Sequence, residues 1–221
     1  MKRMALCLFF MVFGLTVVQA QSTFVRLLTS KGEIILQLYD ATPKHRDMFV
    51  RMIKEGLYKD AQFNRVIKGF VSQAGELDET ILDREALHPD QPLKRIDAEI
   101  KADIFHKKGA LGAGRNDNPE KRSYLTQIYL VQGKIQTDVQ LDALEKKKGM
   151  KFSAEQRKAY KTVGGCPNLD GDYTIFGEIV AGLEVAEAIN SVATSRQDLP
   201  LIPVVFKAEV LKMKAAKQYI R

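Results

Sequence analysis

The sequence contains few cysteines and only one long apolar run, and both shortages limit what the protein can be. Of its two cysteines, Cys7 lies in the N-terminal apolar run, so removal of that run would leave Cys166 as a single thiol. A single thiol excludes an internal disulfide, and the fold must therefore be stabilised by packing. After residue 20, no stretch is apolar enough to span a bilayer.

The sequence also lacks the residue patterns of metal enzymes and of hydrolases. His45, His88 and His106 do not have the spacing of metal ligands, and we expect His45 to be exposed near the start of a helix. No serine nucleophile motif is present, and Cys166 has no recognisable catalytic partner. The glycines of residues 109–114 do not open a βαβ unit, which argues against phosphate binding. We therefore expect neither a metal nor a cofactor.

Residues 1–20 have the pattern of a secretory signal peptide. Lys2 and Arg3 precede an uncharged apolar run at residues 5–18. The run is short for a membrane span, and a retained N-terminal anchor is the alternative. Cleavage would leave one domain over residues 21–221 in an exported protein. We expect it in the periplasm or cell envelope, with a secretory lumen or the extracellular space as alternatives.

The charge of the chain argues against a nucleic-acid partner. The formal net charge of +7 falls to +5 if Lys2 and Arg3 leave with the signal, because no acidic residue goes with them. Acidic and basic residues are interleaved, and the densest basic run, residues 146–148, suits the solvated end of a helix. We expect a monomer that binds no nucleic acid and has no integral membrane span after signal removal.

The rest of the sequence alternates short strand-like segments with a few helical ones. Residues 24–40 contain two β-rich runs around a turn with glycine, which predicts a hairpin. Residues 41–58 and 182–192 carry apolar residues at helical spacing and predict two amphipathic helices. Residues 133–165 contain two capping-box patterns and predict a helical hairpin. Residues 76–108 are polar and mixed, which predicts a long loop.

Taken together, these segments indicate a mainly β fold. Many short strands, two helices far apart in the chain and one helical insertion favour a closed β-barrel with the two helices covering its ends. The helical hairpin at about 133–165 would then interrupt the β domain. No internal repeat is visible in the sequence. We therefore expect one domain with one inserted segment.

The segment FNRVIKGFVSQAG, residues 63–75, places Arg65 and Gln73 among apolar residues. If it forms two antiparallel strands, directly opposed residues share a face of the sheet. A two-residue loop would put Arg65 opposite Ser72, whereas a three-residue loop would put it opposite Gln73. The pattern of residues leaves both registers open. Only the second brings the guanidinium and the amide onto one surface.

The same segment resembles the signature of the cyclophilin-type peptidyl-prolyl isomerases, which reads Phe-His-Arg-Val-Ile, then Gly-Phe, then Gln-Gly-Gly. The opening hairpin and the segments TPKHRDMFVRMIKEGLY (42–58) and NLDGDYTIFGEIVAGLEVAEAI (168–189) fall in the order expected for that family. The resemblance covers most of the chain after the signal, except the insertion. It implies a closed, antiparallel, eight-stranded barrel, the register that opposes Arg65 to Gln73, and binding of proline-containing polypeptides.

The resemblance also implies a set of site residues. Arg65 matches the catalytic arginine of the family, and Gln73 and Gln127 match amides that hold the peptide backbone. Tyr129 stands where phenylalanine is usual, and Tyr173 stands where histidine is common. The segment around Gly114 falls near a peptide-contacting pair. The full set implied to bind substrate is Phe70, Val71, Gln73, Gln127, Tyr129, Leu169, Tyr173 and Phe176. Of these, Phe70, Val71, Tyr129, Leu169 and Phe176 would grip the proline ring.

Several positions depart from the family pattern. Asn64 and Ala74 replace histidine and glycine in the signature, changes that keep the expected chemistry. Asn168 stands where many members have tryptophan, a residue that this chain lacks altogether. Residues 124–126 read Tyr-Leu-Thr where the family has Gly-Ser. The last two changes border the expected groove and bear on the shape of ligand it accepts.

An arginine suits the reaction that the resemblance implies. Rotation about a peptide bond is opposed by ~18–20 kcal/mol of barrier because of amide resonance. Twisting returns the lone pair to the prolyl nitrogen, so a permanently charged donor beside it favours the twisted amide.

The first hypothesis is therefore an isomerase of Xaa-Pro bonds that assists the folding of exported proteins. The alternatives are a non-catalytic chaperone or scaffold that binds proline-containing segments, and a membrane-associated assembly factor that retains its leader.

Overall fold

The computed structural model describes residues 23–219, so the signal peptide expected at 1–20 lies outside the described residues. Eight strands close an antiparallel barrel in the order β1-β10-β3-β4-β8-β6-β9-β2, and β5 and β7 form a separate two-stranded sheet. In chain order the strands are β1 (Thr23–Thr29), β2 (Gly32–Leu38), β3 (Ala61–Val66), β4 (Val71–Ala74), β5 (Arg95–Ile96), β6 (Ala110–Ala113), β7 (Ser123–Tyr124), β8 (Ile128–Val131), β9 (Ile175–Ala181) and β10 (Val204–Val210). The expected eight-stranded antiparallel barrel is confirmed.

Six α-helices are assigned within residues 23–219. They are α1 (Pro43–Lys54), α2 (Asp78–Ala86), α3 (Asp138–Lys148), α4 (Ala154–Thr162), α5 (Leu183–Asn190) and α6 (Met213–Ala216). The two covering helices, α1 and α5, contribute Phe49, Met52, Ala186 and Ile189 to the barrel core. Over the described part of the chain, no helix is both long enough and apolar enough to cross a membrane.

The core of the barrel follows from the alternation of side chains along its strands. In β2, Ile34, Leu36 and Leu38 point inward and are almost completely buried. Successive side chains of a strand face opposite sides, so one strand supplies the core with every second residue. Aromatic rings fill the interior: Phe63 lies 5.1 Å from Phe206 between ring centroids. This packing stabilises a chain that has no disulfide among its described residues.

The hairpin of β3 and β4 adopts the three-residue-loop register. Arg65 pairs with Gln73, and the backbone N–H of Ile67 donates to the carbonyl oxygen of Val71 at 3.0 Å. Gly69 has φ of +71°, the left-handed conformation that glycine adopts without steric penalty. The register implied by the family resemblance is therefore confirmed, and Arg65 and Gln73 share a face.

Helix α1 begins at Pro43, inside the predicted helical segment 41–58, and its cap comes from a residue distant in sequence. Thr42 occupies the N-cap position without a side-chain cap hydrogen bond. Instead, the Glu99 carboxylate accepts from the backbone N–H of Lys44 at 3.1 Å and of His45 at 2.9 Å. A carboxylate is favoured there because the first amides of a helix lack intrahelical partners. Residues 95–99 are thereby held against the start of α1.

His45 is buried in this same contact, so the expectation that it is exposed is wrong. Its Nδ1 lies 2.7 Å from Glu99 Oε2, and its Nε2 lies 3.1 Å from the hydroxyl of Ser123. Burial lowers the pKa of His45 below its usual value, although the neighbouring carboxylate opposes this shift. A neutral imidazole therefore joins α1, β7 and the segment before residue 100.

The predicted long loop at 76–108 is also corrected, because residues 78–86 form α2. This helix has no side-chain cap at Leu77, and Ile81 is its only residue with a buried side chain. The ion pair between Glu76 and Arg84 and the packing of Ile81 hold it in place. Its stability comes from tertiary contacts, which a short polar segment does not reveal in its sequence.

The insertion contains the predicted helical hairpin, formed by α3 and α4. Both helices start with complete capping boxes, made by Thr137 with Gln140 and by Ser153 with Gln156. Leu141, Phe152 and Tyr160 form a small core with Phe105, which lies outside the insertion. The hairpin therefore packs against the barrel domain through its own apolar cluster.

The insertion joins the barrel through a narrow neck, formed by Gly133 and Lys134 on one side and Gly164 and Gly165 on the other. Lys134 and Gly165 exchange two backbone hydrogen bonds of 3.2 Å. A Cβ atom on Gly133 would lie 2.1 Å from the backbone of Gly165, so a side chain there would separate the two passes of the chain. The insertion thus starts and ends at nearly the same point.

Candidate active site

A cleft on the barrel surface brings together eight of the nine site residues that the sequence resemblance implies. Its volume is about 160 Å³, smaller than the roughly 300–1,000 Å³ typical of whole small-molecule sites. Such a volume suits a single side-chain ring. The lining residues are Arg65, Phe70, Val71, Gln73, Asp78, Gly114, Arg115, Gln127, Tyr129, Leu169 and Tyr173.

One side of the cleft is an apolar wall. Val71 and Tyr129 are buried, and Phe70, Leu169 and Tyr173 pack against them as half-buried side chains. Leu169 stands on a 3₁₀ turn, Pro167–Leu169, that follows the insertion. The rings of Tyr129 and Tyr173 meet edge to face at 6.2 Å between centroids. Rings in this arrangement support each other beyond simple burial, so the wall is firmly packed.

The charged side of the cleft is formed by Arg65. Its side chain is 44% exposed and stands beside Gln73 on the paired strand. Asp198 is its ion-pair partner, with 3.7 Å between Arg65 Nε and Asp198 Oδ2. At this distance and exposure the pair is weak. The guanidinium therefore lines the cleft as a weakly paired hydrogen-bond donor.

Gln127 lines the cleft, but its side chain is already held by neighbouring residues. Its Nε2 donates to Asp78 Oδ1 at 2.5 Å and to the carbonyl oxygen of Glu76 at 3.0 Å. A Cβ atom on Gly114 would lie 1.9 Å from Gln127 Oε1, so the amide lies directly on this glycine. The start of α2 therefore engages the amide N–H groups before any ligand is bound.

Phe176 does not lie in the cleft, and its expected position in the pocket wall is corrected. It packs in the barrel core against Phe49, with 5.6 Å between ring centroids in an edge-to-face arrangement. Its neighbour Ile175 instead joins the apolar cluster behind the cleft. Adjacent residues of a strand face opposite sides, which explains why only one of the two approaches the site.

Arg115 and Cys166 add to the surroundings of the wall. The guanidinium carbon of Arg115 lies 4.7 Å from the ring centroid of Tyr173, a cation–π contact that covers one face of that ring. The Cys166 thiol lies 3.4 Å from the carbonyl oxygen of Phe70. Burial raises its pKa to about 12, so the thiol stays protonated and unreactive at neutral pH.

Behind the wall lies a buried chain of polar side chains. His106 Nε2 is 2.9 Å from the hydroxyl of Tyr129, and His106 Nδ1 is 2.7 Å from Asp170 Oδ1. The hydroxyl of Tyr160, on α4, donates to Asp170 Oδ2 at 2.5 Å. Burial raises the pKa of Tyr129 well above its ordinary value, so its hydroxyl keeps its proton.

Sequence reasoning missed Asp78, Asp198 and this polar chain. Asp78 opens a helix that was expected to be a loop, and Asp198 comes from a segment more than 130 residues after Arg65. His106 is isolated in the sequence, and its partners lie 23 and 64 residues away. A tyrosine at position 129 in place of the usual phenylalanine was the one available signal, since a buried phenol needs a partner.

Comparison with known proteins places the whole barrel in one family. The family model described as "Cyclophilin type peptidyl-prolyl cis-trans isomerase/CLD" matches residues 24–210. A peptidyl-prolyl cis-trans isomerase of Schizosaccharomyces pombe is 29% identical over 189 residues, which covers 85% of this chain and 98% of the relative. The match therefore extends over most of this chain and nearly the complete length of the relative.

Solved structures agree on the fold. A cyclophilin-type isomerase of Cryptosporidium parvum superposes with a TM-score of 0.61 at 18% identity, covering 86% of this chain and 98% of the other. A second crystal structure from that organism, obtained in the presence of the dipeptide Ala-Pro, gives a TM-score of 0.60 at 19% identity and covers 86% of this chain and 99% of the other. With the family match, the chain belongs to the cyclophilin-type peptidyl-prolyl cis-trans isomerases.

Proposed function

We propose that this isomerase acts on Xaa-Pro bonds of exported proteins, with Arg65 as its catalytic residue, and so assists their folding. The observation that carries the assignment of Arg65 is its pairing with Gln73 across β3 and β4. This pairing puts a permanent cation and a neutral amide on one surface, next to an apolar wall. A twisting imide needs such an arrangement, because one side must be held while the other rotates.

In the proposed mechanism, the proline ring lies against Phe70, Val71, Tyr129 and Leu169. Gln73 holds backbone groups of the peptide, and Arg65 donates to the prolyl nitrogen as its lone pair returns and also holds the proline carbonyl. No covalent bond forms or breaks, so neither a nucleophile nor a proton acceptor is required. A well-placed charged donor lowers such a barrier by a few kcal/mol, or a rate factor of roughly a hundred to a few thousand.

Two further observations support this proposal. The cleft has room for one ring at about 160 Å³, and the C. parvum relative was crystallised in the presence of a dipeptide that ends in proline.

Tyr173 and Gln127 border the same cleft. We propose that Tyr173 closes one end of the ring pocket. Because Gln127 is already bound to Asp78, we assign it a supporting contact through its carbonyl oxygen.

The decisive experiment compares the wild-type protein with Arg65→Ala in an assay of Xaa-Pro isomerisation. We expect kcat/KM to fall by roughly a hundredfold or more, because the donor to the prolyl nitrogen is lost. Arg51→Ala is a matched control, since Arg51 is an exposed arginine on α1, away from the cleft. Equal turnover by wild type and Arg65→Ala, with both proteins folded, would remove the assignment.

A non-catalytic binding module is the second candidate, and the occupied amide of Gln127 favours keeping it. Because the N–H groups of Gln127 already donate to Glu76 and Asp78, they are not available to bind the backbone of a peptide during its rotation. The two candidates differ in one measurement: a binding module would bind an Xaa-Pro peptide with similar affinity in wild type and Arg65→Ala while neither accelerates isomerisation.

The proposal that the substrates are exported proteins rests on residues 1–20, which have a signal-peptide pattern. Mass spectrometry of the protein purified from its native cells, with identification of its N-terminal residue, tests this step. A start near Gln21 supports export with cleavage. An intact Met1 would favour the third hypothesis, a membrane-associated assembly factor.

A further inference from the structure

The helical insertion is connected to the cleft wall by an unbroken series of buried hydrogen bonds. The series runs from Tyr160 on α4 to Asp170, from Asp170 to His106, and from His106 to Tyr129 in the wall. All four side chains are at least 95% buried. Their heavy-atom separations of 2.5 to 2.9 Å are those of strong hydrogen bonds. We call these four residues the relay.

The protons of the relay can be placed by chemistry. The side-chain oxygens of Asp170 are acceptors, one for the Tyr160 hydroxyl and the other for His106 Nδ1–H. In the tautomer that carries its proton on Nδ1, Nε2 accepts from the hydroxyl of Tyr129, 2.9 Å away. The imidazole is thus held at both ring nitrogens. The backbone N–H of His106 also donates to Asp170 Oδ1, at 2.9 Å.

A second contact ties the insertion to the same wall. Lys148, at the end of α3, donates from Nζ to the carbonyl oxygens of Asn168 at 2.9 Å and Asp170 at 2.5 Å, and to Asp172 Oδ2 at 2.6 Å. Leu169 lies between two of these acceptors and lines the cleft. Both helices of the insertion therefore end on residues that carry or support the wall.

The position of the Tyr129 ring depends on its hydroxyl. Its edge-to-face contact with Tyr173, at 6.2 Å between centroids, would tolerate small shifts of the ring in its own plane. The hydrogen bond to His106 removes that freedom, because hydrogen bonds weaken steeply with distance and angle. Phenylalanine at this position, usual in the family, could not be held in this way.

We propose that the insertion sets the shape of the proline pocket, with Tyr160, Asp170 and His106 as positioning residues for Tyr129. The inference rests on the proposed function of the cleft, since it assigns Tyr129 to the ring-binding wall. It gives the insertion a role that needs neither a gating motion nor an additional partner. The relay fixes the wall before a proline-containing peptide arrives, which lowers the free energy lost in ordering the site on binding.

The test is a double-mutant cycle on the two tyrosine hydroxyls at the ends of the relay. Tyr160→Phe and Tyr129→Phe are made singly and together in the full chain, and KM and kcat are measured for one Xaa-Pro peptide. We expect Tyr160→Phe to raise KM about fivefold, the factor that corresponds to one hydrogen bond, with little change in kcat. In the Tyr129→Phe background, Tyr160→Phe should leave KM unchanged, because the relay is already broken.

Ser153→Ala is the control variant, because it removes the N-cap of α4 without touching the relay. It should weaken the insertion while leaving KM at the wild-type value. An unchanged KM in Tyr160→Phe would overturn the proposal, and so would equal effects of this change in both backgrounds. If the wild type binds the peptide without turnover, the proposed catalysis fails separately. In that case the double-mutant cycle is measured with the Kd of the peptide in place of KM. An unchanged Kd in Tyr160→Phe, or equal effects in both backgrounds, would again overturn the proposal.

Discussion

Two buried histidines, His45 and His106, have nearly the same surroundings but connect to different parts of the molecule. Each has a carboxylate oxygen 2.7 Å from Nδ1 and a hydroxyl near Nε2, from Ser123 in the first case and Tyr129 in the second. The first network joins α1, β7 and the segment before residue 100. The second joins the insertion to the cleft wall.

The two networks differ in the location of the residue that supplies the hydroxyl near Nε2. Ser123 is completely buried between secondary-structure elements and does not line the cleft. Tyr129 is buried too, but one side of its ring forms the cleft surface. Identical chemistry can therefore hold the fold together in one place and shape a binding surface in another. The structural network and the cleft network are distinguished only by whether the residue that supplies the hydroxyl lines the cleft.

The largest effect is expected from Asp170→Ala, which removes the acceptor shared by His106 and Tyr160. Three hydrogen bonds are lost, and their three buried donors (the backbone N–H and Nδ1–H of His106 and the hydroxyl of Tyr160) lose their acceptor, so stability should fall by on the order of 4 kcal/mol. KM should rise as well, because the relay is cut at its centre. Urea unfolding and steady-state kinetics measure the two effects.

Asp170→Asn is the matched control for that change, since it keeps the side-chain shape and one acceptor oxygen. Both effects should be smaller than in Asp170→Ala. A variant that loses stability but retains the wild-type KM would contradict the contrast between the two networks, because His106 would then serve only the fold, as His45 does.

The next largest effect is expected from Glu99→Ala, which breaks the His45 network. The variant loses the cap of α1 and the charged partner of His45, so stability should fall by on the order of 3 kcal/mol. KM and kcat should stay at their wild-type values. Asp97→Ala is the control, because Asp97 is an exposed carboxylate two residues away and should matter little. A raised KM in Glu99→Ala would show that this network also reaches the cleft.

A smaller effect is expected from acid. Burial keeps the pKa of His45 below its usual 6.5, so the unfolded chain binds a proton that the folded chain does not. The stability contributed by the neutral imidazole is therefore complete above about pH 6.5 and decreases as the pH falls below it. Urea unfolding of wild type and His45→Gln between pH 8 and 5 measures this. The stability of wild type should fall more steeply, and parallel curves would contradict the assignment.

The Glu99 carboxylate adds a second, lower step. Burial raises the pKa of Glu99, but hydrogen bonds from the ring and backbone of His45 and from the backbone of Lys44 outweigh it and leave the pKa lowered. Its contribution is present above the ordinary pKa near 4.5 and is lost as the pH falls further. The experiment above stays above pH 5 so that only His45 is read.

The smallest effect is expected from Thr137→Ala at the cap of α3. Thr137 belongs to a local capping box, so its loss should reduce stability by about 1 kcal/mol. Glu99 caps α1 from 54 residues away and also holds a buried imidazole. Hydrogen exchange should show faster opening of α3 without a change in the barrel. A loss as large as that of Glu99→Ala would contradict this ranking.

The features predicted correctly from the sequence are those encoded locally. The hairpin of β1 and β2 and the two capping boxes depend on residues within a few positions of one another. The pairing of Arg65 with Gln73 needed the family resemblance, because residue parity allowed two registers. That resemblance also indicated most of the cleft lining, although Phe176 shows that it does not separate core residues from wall residues.

The features that could not be predicted depend on partners far apart in the chain. His45 was expected to be exposed because it opens an amphipathic helix, and its partners lie 54 and 78 residues later. The relay is equally scattered, with Tyr160 and Asp170 on opposite sides of the neck. Whether a polar side chain is buried depends on which distant residues the fold brings next to it. The local sequence around that residue does not show those partners.

The neck of the insertion has a practical consequence. Since the chain leaves and rejoins the barrel at adjacent glycines, material can be added beyond that crossing without changing the spacing of any barrel strand. Gly149, at the exposed tip between α3 and α4, is the natural point for such an addition. A fluorescent tag or a second recognition module grafted there would be carried on a helical arm whose root lies beside the cleft.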